Sequence, residues 1–254
     1  MQNYCLNILY HFQNLKTYLK QKNMKIRLAV PVNTITHKFH SSYNKDEFPD
    51  VELFKVPENK VRDLLYANRV EAALIDPLTY GLGVKKGDFR IIPETALSSL
   101  SYTELVSVYF NKGLDTLRTI AVPDKSDYIV LISLILLGER YGIIPDIVEK
   151  KDYVGELLKE FDSAMIYGHD KHFNGLDISE DWFDLYQKPM PLAFWVCRAN
   201  EHPENIGEIV RRIASKEIET DIEIGDKSNP EARFGRYIHK FTTEFESATE
   251  QVLD

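Results

Sequence analysis

From Lys25 onward, apolar and polar positions alternate in blocks that read as strands and helices taken in turn. IRLAVP is an apolar run of strand length, and VELFKV is a second. Residues 57–69 (PENKVRDLLYANR) place Val61, Leu64 and Leu65 on one helical face, with Pro57 and Glu58 suited to a first turn. EAALID follows as a third short strand. The order β, β, α, β makes the helix a crossover, the mark of a mostly parallel sheet. After a Ser-rich junction, TALSSLSY, the runs ELVSVYFN and RTIAVP read as strands. Residues 123–142 read as a helix ending at Gly142, with Asp124 or Ser126 as the side chain capping its start. PDIVEK, the helix DYVGELLKEF and the strand SAMIYG complete a second alternating set. MPLAFWVCR is then a strongly apolar strand. PENIGEIVRRIASKEIE groups Ile206, Ile209, Val210 and Ile213 on one face, and a closing helix is expected from about Pro230, with Tyr237, Ile238, Phe241 and Phe245 at helical spacing.

Two such sets, a returning strand and two helices can form one doubly wound sheet or two lobes. The lengths of the sets and their Ser-rich and Pro-flanked junctions favour two lobes, with the last segment returning to the first. The division expected is 24–98 with 190–254 as lobe 1 and 99–189 as lobe 2. Residues 1–23 stand apart as an amino-terminal appendage. Asn3, Asn7, His11, Gln13 and Asn14 break their apolar pattern, so they do not read as a secretory signal.

With 254 residues, 44% of them hydrophobic, the chain can bury a full core. No apolar stretch has the length of a membrane span. The net charge of -8, with basic residues scattered, argues against nucleic acid as a partner. Cys5 and Cys197 form no disulfide framework or zinc spacing, which fits a reducing compartment; Cys197, inside an apolar run, reads as a small buried hydrophobe. The histidine pairs His37/His40 and His169/His172 lack further ligands nearby in sequence, so no metal is expected.

Several segments together resemble the menaquinone-biosynthesis enzymes that include chorismate dehydratase and its sister, 1,4-dihydroxy-6-naphthoate synthase. They are VPVNTITHKF, EAALIDPLTY, LRTIAVPDKSDYIVLISLILLGERYGIIP, DSAMIYGHD and ISEDWFDLYQKPMPLAFWVCR, in that order. The last, with Asp181-Trp182, Pro189 and Phe194-Trp195, is the most specific. The resemblance implies an α/β fold of the two-lobed periplasmic-binding-protein-like type II kind, with a ligand cleft between the lobes. It further implies a cytoplasmic enzyme, no cofactor, a small-molecule carboxylate as substrate, and a homodimer as a compatible assembly.

By that resemblance Asn33 and Thr34 match an Asn-Thr pair that orients substrate, although both residues are also good helix caps. Ser98 and Ser99 fall in a Ser-rich inter-lobe segment that suits a carboxylate, although serine clusters also make loops. Ser126 matches a serine at the start of the second-lobe helix, where an anion is favoured and where it would also serve as a cap. Gly168 and His169 follow SAMIYG near the place of the sister enzyme's catalytic histidine, and His169 reads equally as a polar loop residue. Trp182 and Trp195 read as core or cleft wall. The implied activity is dehydration of chorismate to 3-[(1-carboxyvinyl)oxy]benzoate. The alternatives are the sister reaction with His169 as base, or a non-catalytic acid-binding protein. The chain departs from the dehydratase pattern at Asp76-Pro77-Leu78-Thr79, Leu100-Ser101-Tyr102 and Asp127-Tyr128-Ile129. The last replaces an Arg-Thr-Ser type anion loop, so Asp stands where Arg is usual and the local field is reversed.

Overall fold

The computed structural model describes residues 25–114, 117–200, 202–226, 228–229 and 232–253. The appendage expected over 1–23 lies outside them. IRLAVP forms β1 (Ile26–Pro31), and VELFKV forms β2 (Val51–Val56), parallel to it. A 3-10 turn spans His37–Phe39 between them. Helix α1 (Glu58–Tyr66) buries Val61 and Leu65 and leads to β3 (Ala72–Ile75), also parallel to β1. Asp76-Pro77 then opens α2 (Pro77–Val84), a short helix that follows β3 directly.

In this sheet the parallel pairing stops at these three strands, and its remaining strands pair antiparallel. The next strand, β4 (Phe89–Ser101), is 13 residues long and contains the Ser-rich segment expected to be a junction. Ser98 and Ser99 are buried there because β4 lies between two antiparallel partners, β10 (Met190–Arg198) and β12 (Phe234–Lys240). The seven-stranded sheet runs β11-β12-β4-β10-β3-β1-β2, where β11 is Ile222–Gly225.

A second, five-stranded sheet runs β7-β6-β8-β5-β9. Its strands are β5 (Val106–Phe110), β6 (Thr119–Val122), β7 (Asp146–Glu149), β8 (Ser163–Tyr167) and β9 (Gly175–Asp177). Helix α3 (Tyr128–Tyr141) stops at Gly142, whose φ of 69° is the left-handed cap that a glycine adopts without a Cβ penalty. Its start is capped by Asp127, not by Asp124 or Ser126. The Asp127 carboxylate accepts from the N–H groups of Ile129 and Val130, whereas Ser126 is itself tied to Asp124. Helices α4 (Val154–Glu160) and α5 (Ile178–Tyr186) complete this half.

The chain crosses between the sheets twice, from Ser101 to Val106 and from Tyr186 to Met190, and Met190 pairs with Ser99 where the crossings meet. Ser101, Glu104 and Gln187 at these crossings take positive φ. After β10, α6 (Ile206–Ile213) buries the predicted stripe of Ile206, Ile209, Val210 and Ile213. The closing helix begins at Thr243, not near Pro230. Tyr237 belongs to β12 and is buried on alternation with Gly235 and His239; only α7 (Thr243–Leu253), carrying Phe245, is helical. Strand wins there because Gly235 brings β12 against β4: a Cβ at Gly235 would stand 2.1 Å from the Tyr102 carbonyl oxygen. Trp182, Trp195 and Cys197 are core residues.

Candidate functional site

Strands β2, β3 and β6 each end in a turn that starts a helix, and the three starts meet. Ligands on open α/β sheets gather at strand carboxyl ends for this reason. Pro57, Glu58, Asn59 and Arg62 come from α1, and Asp76, Leu78, Thr79 and Leu82 from α2 and its cap. Asp124, Ser126, Asp127 and Tyr128 face them from the approach to α3. Together they line a cleft of about 180 Å³. One wall belongs to the seven-stranded sheet and the other to the five-stranded sheet.

The cleft is rich in carboxyl groups, and most of them hold the backbone. Asp76, buried, caps α2 by accepting from Thr79 N at 2.7 Å. Burial pushes its carboxyl up, the donors of Thr79 pull it down, and Asp127 adds to the upward push. Asp127 Oδ1 accepts from Ile129 N at 2.7 Å and Val130 N at 3.4 Å. Asp124 Oδ1 accepts from Ser126 N at 2.8 Å and Ser126 Oγ at 2.7 Å, and these bonds hold it below the usual carboxylate range.

Glu58 differs from all three. It is exposed in the cleft wall, and among the described residues its side chain has no hydrogen-bond partner. Desolvation, then the charges of Asp76, Asp127 and Asp124, push its carboxyl up to about 8. Tyr128, buried beside it, has its hydroxyl pushed well above the ordinary range by burial and then by Asp76 and Glu58. Tyr167, at the end of β8, is raised by burial and then by Asp127.

Two features favour an anion. Arg62 is the cation among the lining residues. Helix α1 begins at Pro57 with no side-chain cap, so its first N–H groups, on Glu58 and Asn59 in the cleft wall, are available to a ligand.

Of the residues singled out from the sequence, Ser126 lines this cleft. Asn33 and Thr34 are exposed at the end of β1, on the same edge of the sheet. Asn33 Oδ1 accepts from Thr36 N at 2.9 Å and Thr36 Oγ1 at 2.7 Å, bonds that hold the turn ahead of the 3-10 helix, whose own N-cap is Thr36. Ser98 and Ser99 lie in β4 away from the lining, and Ser99 Oγ has no partner. Gly168 holds φ at 86°, donates to Leu105 O at 3.0 Å and accepts from Ser107 Oγ at 2.8 Å. His169 Nδ1 lies 3.2 Å from the Tyr109 hydroxyl, and its ring stands edge-on to Tyr102, outside the lining. Glu58, Arg62 and Asp76 escaped notice as site residues. A signal was present: Glu58 and Asp76 follow apolar strands at Pro-marked helix starts, and Arg62 lies one turn into the helix that Glu58 opens.

A family model described as menaquinone biosynthesis matches residues 4–251. No curated protein matches the chain. Among solved structures, protein AF1704 from Archaeoglobus fulgidus is 16% identical, with 74% of each chain covered and a TM-score of 0.55. The methionine-binding protein MetQ is 18% identical over 76% of this chain and 91% of its own, with a TM-score of 0.45. An ABC-transporter periplasmic substrate-binding protein from Coxiella burnetii is 13% identical over 74% and 91%, with a TM-score of 0.44. The chain shares its fold with AF1704, a mixed α/β arrangement of two sheets joined by two crossings. Among the described residues no helix is long and apolar enough to cross a membrane.

Proposed function

Because this chain belongs to the menaquinone-biosynthesis family, we propose that it is a carbon–oxygen lyase of that pathway, converting chorismate to 3-[(1-carboxyvinyl)oxy]benzoate in the cleft between its sheets. The observation that carries this reading is the meeting of three helix starts from both halves around one cleft, with Arg62 and the uncapped start of α1 in its wall. A substrate carboxylate set on the N–H groups of Glu58 and Asn59 and on the Arg62 guanidinium is fixed by charge-assisted bonds. Loss of water makes the ring aromatic, so the chemical drive belongs to the substrate. The protein's part is to position the acid, exclude bulk water and manage two protons. Ser126 stands in the wall to bond a second polar group, while Asn33 and Thr34 sit one strand end away. Action in the cytoplasm and assembly as a homodimer are parts of the same proposal.

Two further readings each have an observation behind them. The contact of His169 with Tyr109 gives a held imidazole, which favours the sister synthase reaction. The four carboxyl groups in the lining favour a binding protein without turnover. Purified protein incubated with chorismate separates the three. Loss of substrate with appearance of an aromatic product supports dehydration. Retention of that activity in His169→Ala excludes histidine as its base, and binding without conversion overturns the lyase reading.

A further inference from the structure

We propose that β7, the outer strand of the five-stranded sheet, pairs antiparallel with β7 of a second copy of this chain, joining the two sheets across a two-fold axis at Val148. This edge supplies the contact for the homodimer proposed above; it rests on that assembly and on no part of the dehydration chemistry.

β7 (Asp146–Glu149) stands at the end of its sheet, with β6 on one side and no strand on the other. The N–H of Asp146 donates to Arg118 O at 2.8 Å, and the N–H of Lys150 donates to Val122 O at 3.0 Å. Successive residues of a strand turn their backbone groups to opposite sides. Asp146, Val148 and Lys150 therefore address β6, and the N–H and C=O groups of Ile147 and Glu149 point away from the sheet. Apolar exposure gathers at the same edge. Of the eleven large hydrophobic side chains exposed among the described residues, four fall within 144–153. They are Ile144 at 93%, Ile147, Val148, and Tyr153 at 84%. An open strand edge flanked by exposed apolar side chains is a template for another strand.

Register selects a second copy as that strand. A two-fold axis makes the pairing antiparallel, and only outward-facing residues exchange bonds across it. Three alignments satisfy both conditions. Setting Ile147 opposite Ile147 of the second copy places Glu149 opposite Pro145, which has no N–H to give. Setting Glu149 opposite Glu149 of the second copy puts two carboxylates face to face and Asp146 opposite Asp152. Setting Ile147 opposite Glu149 of the second copy lets both residues exchange N–H···O=C bonds on each side of the axis. In that register Val148 meets Val148 of the second copy, and Asp146 meets Lys150 of the second copy, twice. The edge is charge-complementary to its own reverse in this one alignment.

The side chains are placed for it. Residues directly opposite across an antiparallel pair share a sheet face, and Asp146, Val148 and Lys150 alternate onto the same one. Among the described residues the Asp146 carboxylate has no ion-pair partner within its own chain, and Asp146 is exposed. Lys150 Nζ bonds Glu160 Oε1 at 2.7 Å, and an ammonium with three donors has room for a second carboxylate. Strands this short make a small interface, so we expect micromolar rather than nanomolar association.

The test is sedimentation equilibrium of the full chain from about 1 μM to about 1 mM, with amide hydrogen exchange at both ends of that range. We expect a monomer–dimer equilibrium in which the Ile147 and Glu149 amides are protected at high concentration and not at low. Asp146→Lys and Lys150→Asp each set like charges opposite one another at two places, and each should weaken self-association at least about 10-fold. Mixed in equal amounts, the two variants regain Lys–Asp pairs on both sides of the axis. The mixture should therefore dimerise about as well as wild type, a rescue that a folding defect does not produce. A wild type that stays monomeric throughout removes the homodimer and this surface together. A dimer whose Ile147 and Glu149 amides exchange equally at both concentrations overturns the surface and leaves the homodimer standing. So does a dimer that neither variant weakens, or a mixture that associates no better than its components. Turnover of chorismate enters none of these outcomes.

Discussion

The Tyr128 hydroxyl donates a 2.7 Å hydrogen bond to the carbonyl of Pro191, joining the first residue of α3 to the strand that returns to the seven-stranded sheet. Both groups are buried, and 63 residues of sequence separate them. The bond ties one wall of the cleft to the second crossing between the sheets. Tyr128→Phe keeps the ring and deletes the bond. We expect a loss of about 1–2 kcal/mol, seen as a lower denaturation midpoint at unchanged slope.

Gly235→Ala tests the assignment of the carboxy-terminal segment. A Cβ there would meet the carbonyl oxygens of Tyr102 at 2.1 Å and Leu100 at 2.6 Å, both backbone atoms that cannot swing aside. The expected cost is about 3 kcal/mol or more, with loss of amide protection along β12 in hydrogen exchange. A melting temperature equal to wild type would show that β12 does not dock on β4 in this register.

Acid sensitivity follows from two buried histidines. Burial, then the Lys55 charge, lowers His40 to about 4; burial, then the Lys38 charge, lowers His239 to about 4. Neither ring nitrogen of His239 is hydrogen-bonded, and the nearby Ile35 carbonyl is out of bonding geometry. The folded state binds fewer protons than the unfolded chain between pH about 6.5 and about 4. Stability therefore drops as pH falls through that window, by on the order of 3 kcal/mol per histidine. Asp177, raised to about 6 by burial, acts in the opposite direction and softens the slope. Thermal melts of His239→Leu should equal or exceed wild type at pH 7 and lose less on acidification.

The charge network of the cleft can be read without substrate. Asp127→Asn keeps a side-chain acceptor for the start of α3 while removing one of the charges that raise Glu58. We expect the Glu58 titration to move below pH about 8, followed by carboxyl carbon NMR. An unmoved titration would show that the Asp127 charge does not act on Glu58.

A linked effect appears in stability. The native pKa of Glu58 lies above its unfolded value, so its contribution is most favourable below pH 4.5 and is lost as pH rises through about 8. Glu58→Gln should then gain in melting temperature relative to wild type most clearly above pH 8. An advantage of wild type over the variant at pH 9 would contradict the crowding of charges around Glu58.

Local chemistry settled much of this protein from its sequence. IRLAVP and MPLAFWVCR are strands apolar enough to be largely covered on both faces, and VELFKV is the partly exposed edge strand beside β1. Helix α3 stops where Gly142 permits a left-handed turn, and α6 buries the stripe that its spacing announces. Tertiary structure decided the rest. The serines of β4 and the Tyr237 segment become strands through pairing with each other across more than 130 residues, a contact no local period records. Tyr237, Phe241 and Phe245 satisfy a helical spacing equally well until Gly235 admits the backbone of β12 against β4. Likewise Glu58, Asp76 and Asp127 are three separate helix starts along the chain. Only the packing of two sheets turns them into one cleft whose charges act on each other.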